Sequence, residues 1–233
     1  MTRKARVSDE GPVREHHASE GITARILAAL RAASGPDVPI TPDTLAPIDH
    51  FHGKGVAATE ELAALLQPKA SDHLLDVGCG IGGPARWIAA KYGRRVTGMD
   101  LTPGFCEAAR EFNSLTGLAD QINILHGSAL ALHAPDARFD RAYSKAVLMN
   151  IADKPSFLRE AFRVLRPGCL LACLSSALVR PESLTTLCHG PPRQPPVFLS
   201  LQMRSGPICS QPVFRLSPCV TPVRRLLWPL VLC

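Results

Sequence analysis

Between His73 and Tyr92 three kinds of sequence follow one another without a break. The apolar run "HLLDV" meets a turn carrying Gly78, Gly80, Gly82 and Gly83, and that turn runs into "PARWIAAKY". A short apolar run that ends in a glycine-rich turn and opens a helix predicts a strand, a tight bend and a crossover. Glycine is needed because it alone enters strained backbone regions freely. Pro84 suits the start of the helix, where a missing N–H costs nothing. This unit constrains the fold more than any other feature of the chain. A strand feeding a helical crossover returns parallel and right-handed, so the alternation should repeat on both sides.

It does repeat. "RRVTGMD", "QINILHG", "FDRAYSKAV" and "CLLACLS" predict further strands, with helices over "GFCEAAREFNSLTG" and "DKPSFLREAFRVLRPG". In the last helix Asp153 is the expected cap, and Leu158, Ala161, Phe162 and Leu165 face inward. Ahead of the strands, "GITARILAALRAASG" places Ile22, Ile26, Leu27 and Leu30 on one face and stops at Ser34-Gly35. A loop or short helix begins with Thr41 as cap and Pro42 at the first helical position; "VAATEELAALLQP" is a further amphipathic helix. The expected fold class is α/β, a doubly wound, Rossmann-like, mostly parallel sheet with an N-terminal helical lid. The expected division is a polar, mobile N-terminus over 1–20, a lid segment over 21–68, a sheet domain over 69–175 and an irregular tail over 176–233.

The grammar breaks after about residue 168. The last 65 residues hold six of the eight Cys and ten of the 21 Pro, and neither period persists beyond one short run. Proline removes ladder donors, so the tail is expected to supply no central strands, leaving the fifth strand as an exposed edge with the C-terminal strands missing. Its Leu, Val and Cys content is wrong for a solvated linker. Cys169 and Cys173 have three residues between them, and Cys188, Cys209 and Cys219 have no CxxC partner, so no metal set is expected. The reading preferred is a tail produced by a frame shift or alternative splice, never selected to fold.

The net charge of +6 lies almost wholly in that tail, with six Arg against the single acid Glu182. Without interleaved aromatics this is a poor nucleic-acid footprint, and no nucleic-acid partner is expected. No apolar run is long enough for a membrane span, the N-terminus has no secretory apolar core, and only Cys79 and Cys106 precede residue 169. A cytoplasmic protein is expected.

The glycines fit two templates. Gly78, Gly80 and Gly83 suit a dinucleotide turn, whereas Gly78, Gly80 and Gly82 suit a methyl-donor turn. Asp76, two residues before Gly78, separates them. A carboxylate at the strand end repels a pyrophosphate and attracts the ammonium and sulfonium of S-adenosylmethionine. Asp100, closing the second strand, can accept from both ribose hydroxyls of either nucleoside. Leu101 could cover the adenine face, and Ser128 with the Ala129 backbone could meet its edge. Lys145 and Met149 either border the methionine end or are a solvated lysine and a core methionine. Cys79 is either a reactive thiol or a small residue that fits the turn.

With these residues, "LLDVGCGIGGPAR", "VTGMDLTP", "HGSALAL…FDRAYSKAVLMNIADK" and "FLREAFRVLRPG", the stretch from about 21 to 168 resembles class I S-adenosylmethionine-dependent methyltransferases. It is most similar to the glycine/sarcosine/dimethylglycine N-methyltransferases and the ubiquinone/menaquinone C-methyltransferases, whose lid "APIDHFHGKGVAATEELA" also resembles. The resemblance implies methyl transfer to a small-molecule acceptor, an amine or a quinol ring, with Asp76, Gly78, Cys79, Gly80, Gly82, Asp100, Leu101, Ser128, Ala129 and Lys145 around the cofactor. His50 or His52 is the candidate proton acceptor for a protic substrate; the plainer reading, that both pack or hydrogen-bond locally, is the favoured one. Two departures stand out. Ser128 occupies a position where that branch has an acid, a change worth about 1 kcal/mol, and Cys169 after "LRPG" opens the anomalous tail. An NAD(P)-dependent oxidoreductase and an inactive truncated methyltransferase are the alternatives.

Overall fold

The computed structural model describes residues 21–50, 55–175, 197–202 and 213–216. The N-terminus expected to be mobile, His52, and most of the tail lie outside these residues. Three helices come first: α1 (Ile22–Ser34), α2 (Pro42–Asp49) and α3 (Val56–Leu66). Thr41 caps α2 as expected, its hydroxyl accepting from the Thr44 N–H while Thr44 answers at the Thr41 N–H. Gly35 ends α1 at φ 100°, where a side chain would be strained.

The alternating part runs β1 (His73–Val77), α4 (Gly83–Tyr92), β2 (Arg95–Asp100), α5 (Pro103–Leu115), β3 (Ile122–His126), β4 (Phe139–Lys145), α6 (Lys154–Val164) and β5 (Leu165–Ser175). Two further strands follow, β6 (Val197–Gln202) and β7 (Val213–Leu216). The sheet order is β3-β2-β1-β4-β5-β6-β7, parallel through β6, with β7 antiparallel to it. The α/β doubly wound fold expected from the sequence is therefore present. The strand order reverses between β1 and β4, the place where such sheets hold ligands, beyond the carboxyl ends of the strands.

Two expectations are corrected. The fifth strand does not end the sheet, because β6 pairs with it in register from Leu170–Val197 to Ser175–Gln202. The prolines of the tail fall outside "VFLSLQ" and "VFRL", so each short run keeps the ladder donors that proline would remove. Leu165 is not the last inward residue of α6 but the first of β5: the helix ends at Val164 and the backbone turns extended ahead of Arg166 and Pro167. Asp153 does cap α6, accepting from the Ser156 N–H.

The sheet is packed on both faces. On one, Leu75 and Val77 of β1 and Ala142 of β4 meet Phe157, Leu158, Ala161 and Val164 of α6. On the other, Leu74 and Tyr143 meet Ala58, Leu62 and Leu66 of α3 and Ala85 and Ile88 of α4. The first helix joins through Leu30 with Ile22, Ile26 and Leu27, packed on Phe112 of α5 and Leu45 of α2. Among the described residues no helix is long and apolar enough to cross a membrane.

Candidate functional site

The glycine turn leaves β1 at Val77 and enters α4 at Gly83. Gly78 sits at φ 79°, and a Cβ there would lie 2.3 Å from the Val147 side chain, so the turn and the segment after β4 touch only because the residue is glycine. Gly80, at φ 54°, has open space where its Cβ would be. That is the side of the loop a ligand can approach. Gly82 caps α4 in the left-handed region.

The N–H groups of this turn discriminate between the two templates. Gly78 and Cys79 both donate to the Met99 carbonyl, at 2.7 and 3.1 Å, and Gly82 donates to the Cys79 carbonyl at 2.9 Å. Gly80 donates to Asp100 Oδ2 at 2.8 Å. A phosphate cradle needs such N–H groups turned towards the anion. Here four of them are engaged inside the protein, the one cation bonded to the turn, Arg86, is already paired with Asp49, and the acids at the ends of β1 and β2 are Asp76 and Asp100. The turn is unsuited to a diphosphate.

Asp76 stands between Gly98 of β2 and Tyr143 of β4, only 1% exposed. Its Oδ2 finds no hydrogen-bond donor among the described residues. Burial pushes its carboxyl up to about 7; the Tyr143 hydroxyl, outside hydrogen-bond geometry, and Lys145 pull against this, and the Asp100 charge reinforces it. Asp100 is fixed by two backbone donors, Gly80 to Oδ2 and Thr102 to Oδ1 at 2.9 Å. The Leu101 carbonyl lies 3.0 Å from His126 Nε2, which anchors the segment after β2. Ser128 serves a turn of its own, its hydroxyl oxygen accepting from the Leu130 N–H at 3.1 Å. Ala129 packs against the α6 side of the core, and Met149, on the turn Leu148–Asn150, is 37% exposed.

Cys79 is turned away from the loop mouth. Its thiol is buried against Gly98, where a Cβ would lie 2.8 Å from Sγ, and burial pushes it well above the usual thiol range. With its N–H and carbonyl also engaged, Cys79 is a packing residue of the turn and not a reactive thiol.

Lys145, at the end of β4, is buried and bonded to the lid: Nζ lies 3.1 Å from Thr59 Oγ1, 3.4 Å from the Gly55 carbonyl and 3.4 Å from His50 Nδ1. Burial lowers its ammonium to about 8, with Asp76 and Asp49 pulling upward. His50 is 3% exposed, and its Nδ1 also meets Thr59 Oγ1 at 3.0 Å. Burial, then Lys145 and Arg86, lower it to about 4, so it is neutral and weakly basic. Ala146, directly after Lys145, is held at φ 60° with its N–H on the Leu174 carbonyl, a strained position beside the lid contact.

The sequence reading missed Asp49, Thr59, Arg86, Asn113 and Tyr143. Arg86 is fully buried in the first turn of α4 and paired with Asp49 of α2. Arginine is so rarely buried that position alone could not reveal it. The one available signal was its place in "GGPAR", directly behind the glycines.

A separate open cavity of about 350 Å³ lies against the amino ends of β1 to β4, lined by His73, Arg95, Gln121, Arg138 and Phe139 among others. It is at the wrong end of the strands for the ligand this turn would hold.

Residues 75–173 match the methyltransferase domain family. The chain is 37% identical across 125 residues to a methyltransferase, GfsG, of Streptomyces halstedii, covering 54% of this chain and 45% of that one. In structure it resembles a putative sarcosine dimethylglycine methyltransferase of Galdieria sulphuraria at a TM-score of 0.51 and 26% identity, covering 65% of this chain and 58% of that one. It also resembles a (4+2)-cyclase, SpnF, at a TM-score of 0.50 and 27% identity, covering 53% and 46%. The chain spans about half the length of the relatives it matches. The segment is thus similar in sequence and in fold to class I methyltransferases, whose cofactor is S-adenosyl-L-methionine. The residues fit that group: a buried carboxylate whose Oδ2 lacks a donor, a loop open at Gly80, and an acid braced at the end of β2.

Proposed function

We propose that this chain transfers a methyl group from S-adenosylmethionine to a small-molecule acceptor. The observation that carries the reading is Asp76, a buried carboxylate whose Oδ2 lacks a donor, beside a turn in which the N–H groups of Gly78, Cys79, Gly80 and Gly82 are already engaged. Such a place favours a cation and disfavours a diphosphate. The sulfonium supplies an electrophilic methyl group, so the protein contributes chiefly alignment and exclusion of water. Asp76 would hold the positive end of the donor, Asp100 the ribose hydroxyls, and Leu101, Ser128 and Ala129 the adenine. Gly78, Gly80 and Gly82 give the backbone its close approach. Lys145 ties the lid over the end of β4, and Met149 borders the acceptor side.

An amine of the glycine or sarcosine type is the first acceptor to test, on the likeness to the Galdieria protein, with a quinol ring second. His50 and His52 remain the lid's candidate proton acceptors, and His50 enters that role as a weakened base. The second reading is a domain that binds the cofactor without transferring its methyl group, since a chain of similar fold is described as a cyclase. The oxidoreductase reading is the weaker one, because its diphosphate would meet two carboxylates.

Calorimetry with S-adenosylmethionine, S-adenosylhomocysteine and NADH tests the reading. Expected are binding of the first two, and for Asp100→Ala a roughly tenfold weaker affinity, about 1.4 kcal/mol. Equal affinity in both proteins, or binding of NADH alone, rejects it. A labelled-methyl screen over amines, quinols and amino acids then separates transfer from binding.

A further inference from the structure

Among the described residues Arg86 is the largest side chain that is completely buried, and it holds three segments at once. Nε and Nη2 donate to the two carboxylate oxygens of Asp49, at 3.2 and 2.5 Å. Nη1 donates to the Ile81 carbonyl at 2.7 Å and to Asn113 Oδ1 at 3.2 Å, and the guanidinium stands 5.2 Å over the Phe112 ring. Asp49 is the last residue of α2, and it rests directly on the first turn of α4: a Cβ at Gly83 would come within 2.5 Å of Asp49 Cβ and its carbonyl oxygen. Ile81 follows Gly80, whose N–H braces Asp100. His50, next to Asp49, meets Thr59 and Lys145. A continuous set of bonds therefore runs from the lid through Arg86 to the glycine turn and its acid.

A buried ion pair is seldom more stable than apolar residues of equal volume, because both charges lose their water. What it gives is direction. A planar guanidinium bridging a carboxylate and a carbonyl fixes their relative placement, which apolar contact does not. We propose that Asp49 and Arg86 are a positioning pair that sets the glycine turn for the methyl donor and registers the lid on it. This rests on the methyl-donor reading above for the ligand, though not for the geometry of the turn.

The test compares wild type with the apolar double variant Asp49→Leu/Arg86→Met and with Arg86→Lys, whose single ammonium cannot bridge both partners. Melting temperature, amide exchange of residues 78–83 and affinity for S-adenosylhomocysteine are measured in each. Expected is a double variant that melts within a few degrees of wild type, loses tenfold or more exchange protection in the turn while β1 keeps its own, and binds at least tenfold more weakly. Arg86→Lys, which keeps the charge and needs no new packing, should show the same loss of turn protection. Wild-type protection of the turn in either variant overturns the proposal, as does affinity restored together with stability. If wild type itself binds no donor, the methyl-donor reading fails, and the exchange data still decide the role of the pair.

Discussion

The two faces of β1 and β4 do opposite work, one residue apart. Leu75, Val77 and Ala142 point to α6 and pack into its apolar cluster, a surface that contributes stability. Asp76, Tyr143 and Lys145 point to the lid, and that face carries groups whose protonation the fold has altered. Strand side chains alternate with period two, so a core and a site can share the same few residues without interfering. The comparison teaches that the lid-facing side accepts a cost in desolvation that the α6 side does not, and such costs persist where a ligand or a proton is handled.

Breaking the apolar face should have the largest effect on stability. Phe157→Ala removes a fully buried ring from α6 and should cost about 3–5 kcal/mol. Denaturant titration should show that loss, with donor affinity little changed below the transition. If affinity falls as far as for a change at Asp76, the two faces are not separable.

The opposite face should answer to pH instead. The raised value of Asp76 means that its contribution to stability is fully present below about 3.8 and is lost as pH rises through about 7. Lowered to about 4, His50 works the other way, adding stability as pH rises towards 6.5. The two oppose each other in wild type, so the informative quantity is the difference from Asp76→Asn. The stability of Asp76→Asn relative to wild type should rise between about pH 4 and 7, by roughly 3–4 kcal/mol at most, and then level off. A difference that is flat with pH would show that Asp76 is not buried in this way. In the same window, a cationic donor should drive a proton off Asp76, so binding measured at pH 6 in buffers of different ionisation enthalpy should show proton release in wild type and none in the variant.

The smallest effect should come from His50→Gln. A general base contributes on the order of 100-fold or more to a rate, whereas a histidine held near 4 and bonded to Thr59 and Lys145 has little basicity to offer. Loss of less than about tenfold in kcat, with KM for the acceptor moved more than kcat, is expected; a 100-fold fall in kcat at unchanged KM would restore the histidine as a base.

What the sequence determined by itself was the local grammar. Strand, turn and helix over residues 73–92 follow from apolar runs, glycines and Pro84, and Thr41, Gly35 and Asp153 cap or stop their helices as their chemistry requires. Asp76, Asp100 and the glycines were legible because a nucleoside site at a strand end needs particular residue types at fixed spacing along one chain segment. The tertiary structure alone decided which distant groups meet. Asp49 and Arg86 are 37 residues apart, and His50 and Lys145 are 95 apart; only folding α2 onto α4, and the end of α2 onto the end of β4, brings them together. It also decided that β6 pairs beside β5, where the density of proline had argued otherwise. The physical reason is common to both cases: local propensity is set by neighbours in the chain, whereas burial, and the pairing that burial demands, is set by neighbours in space.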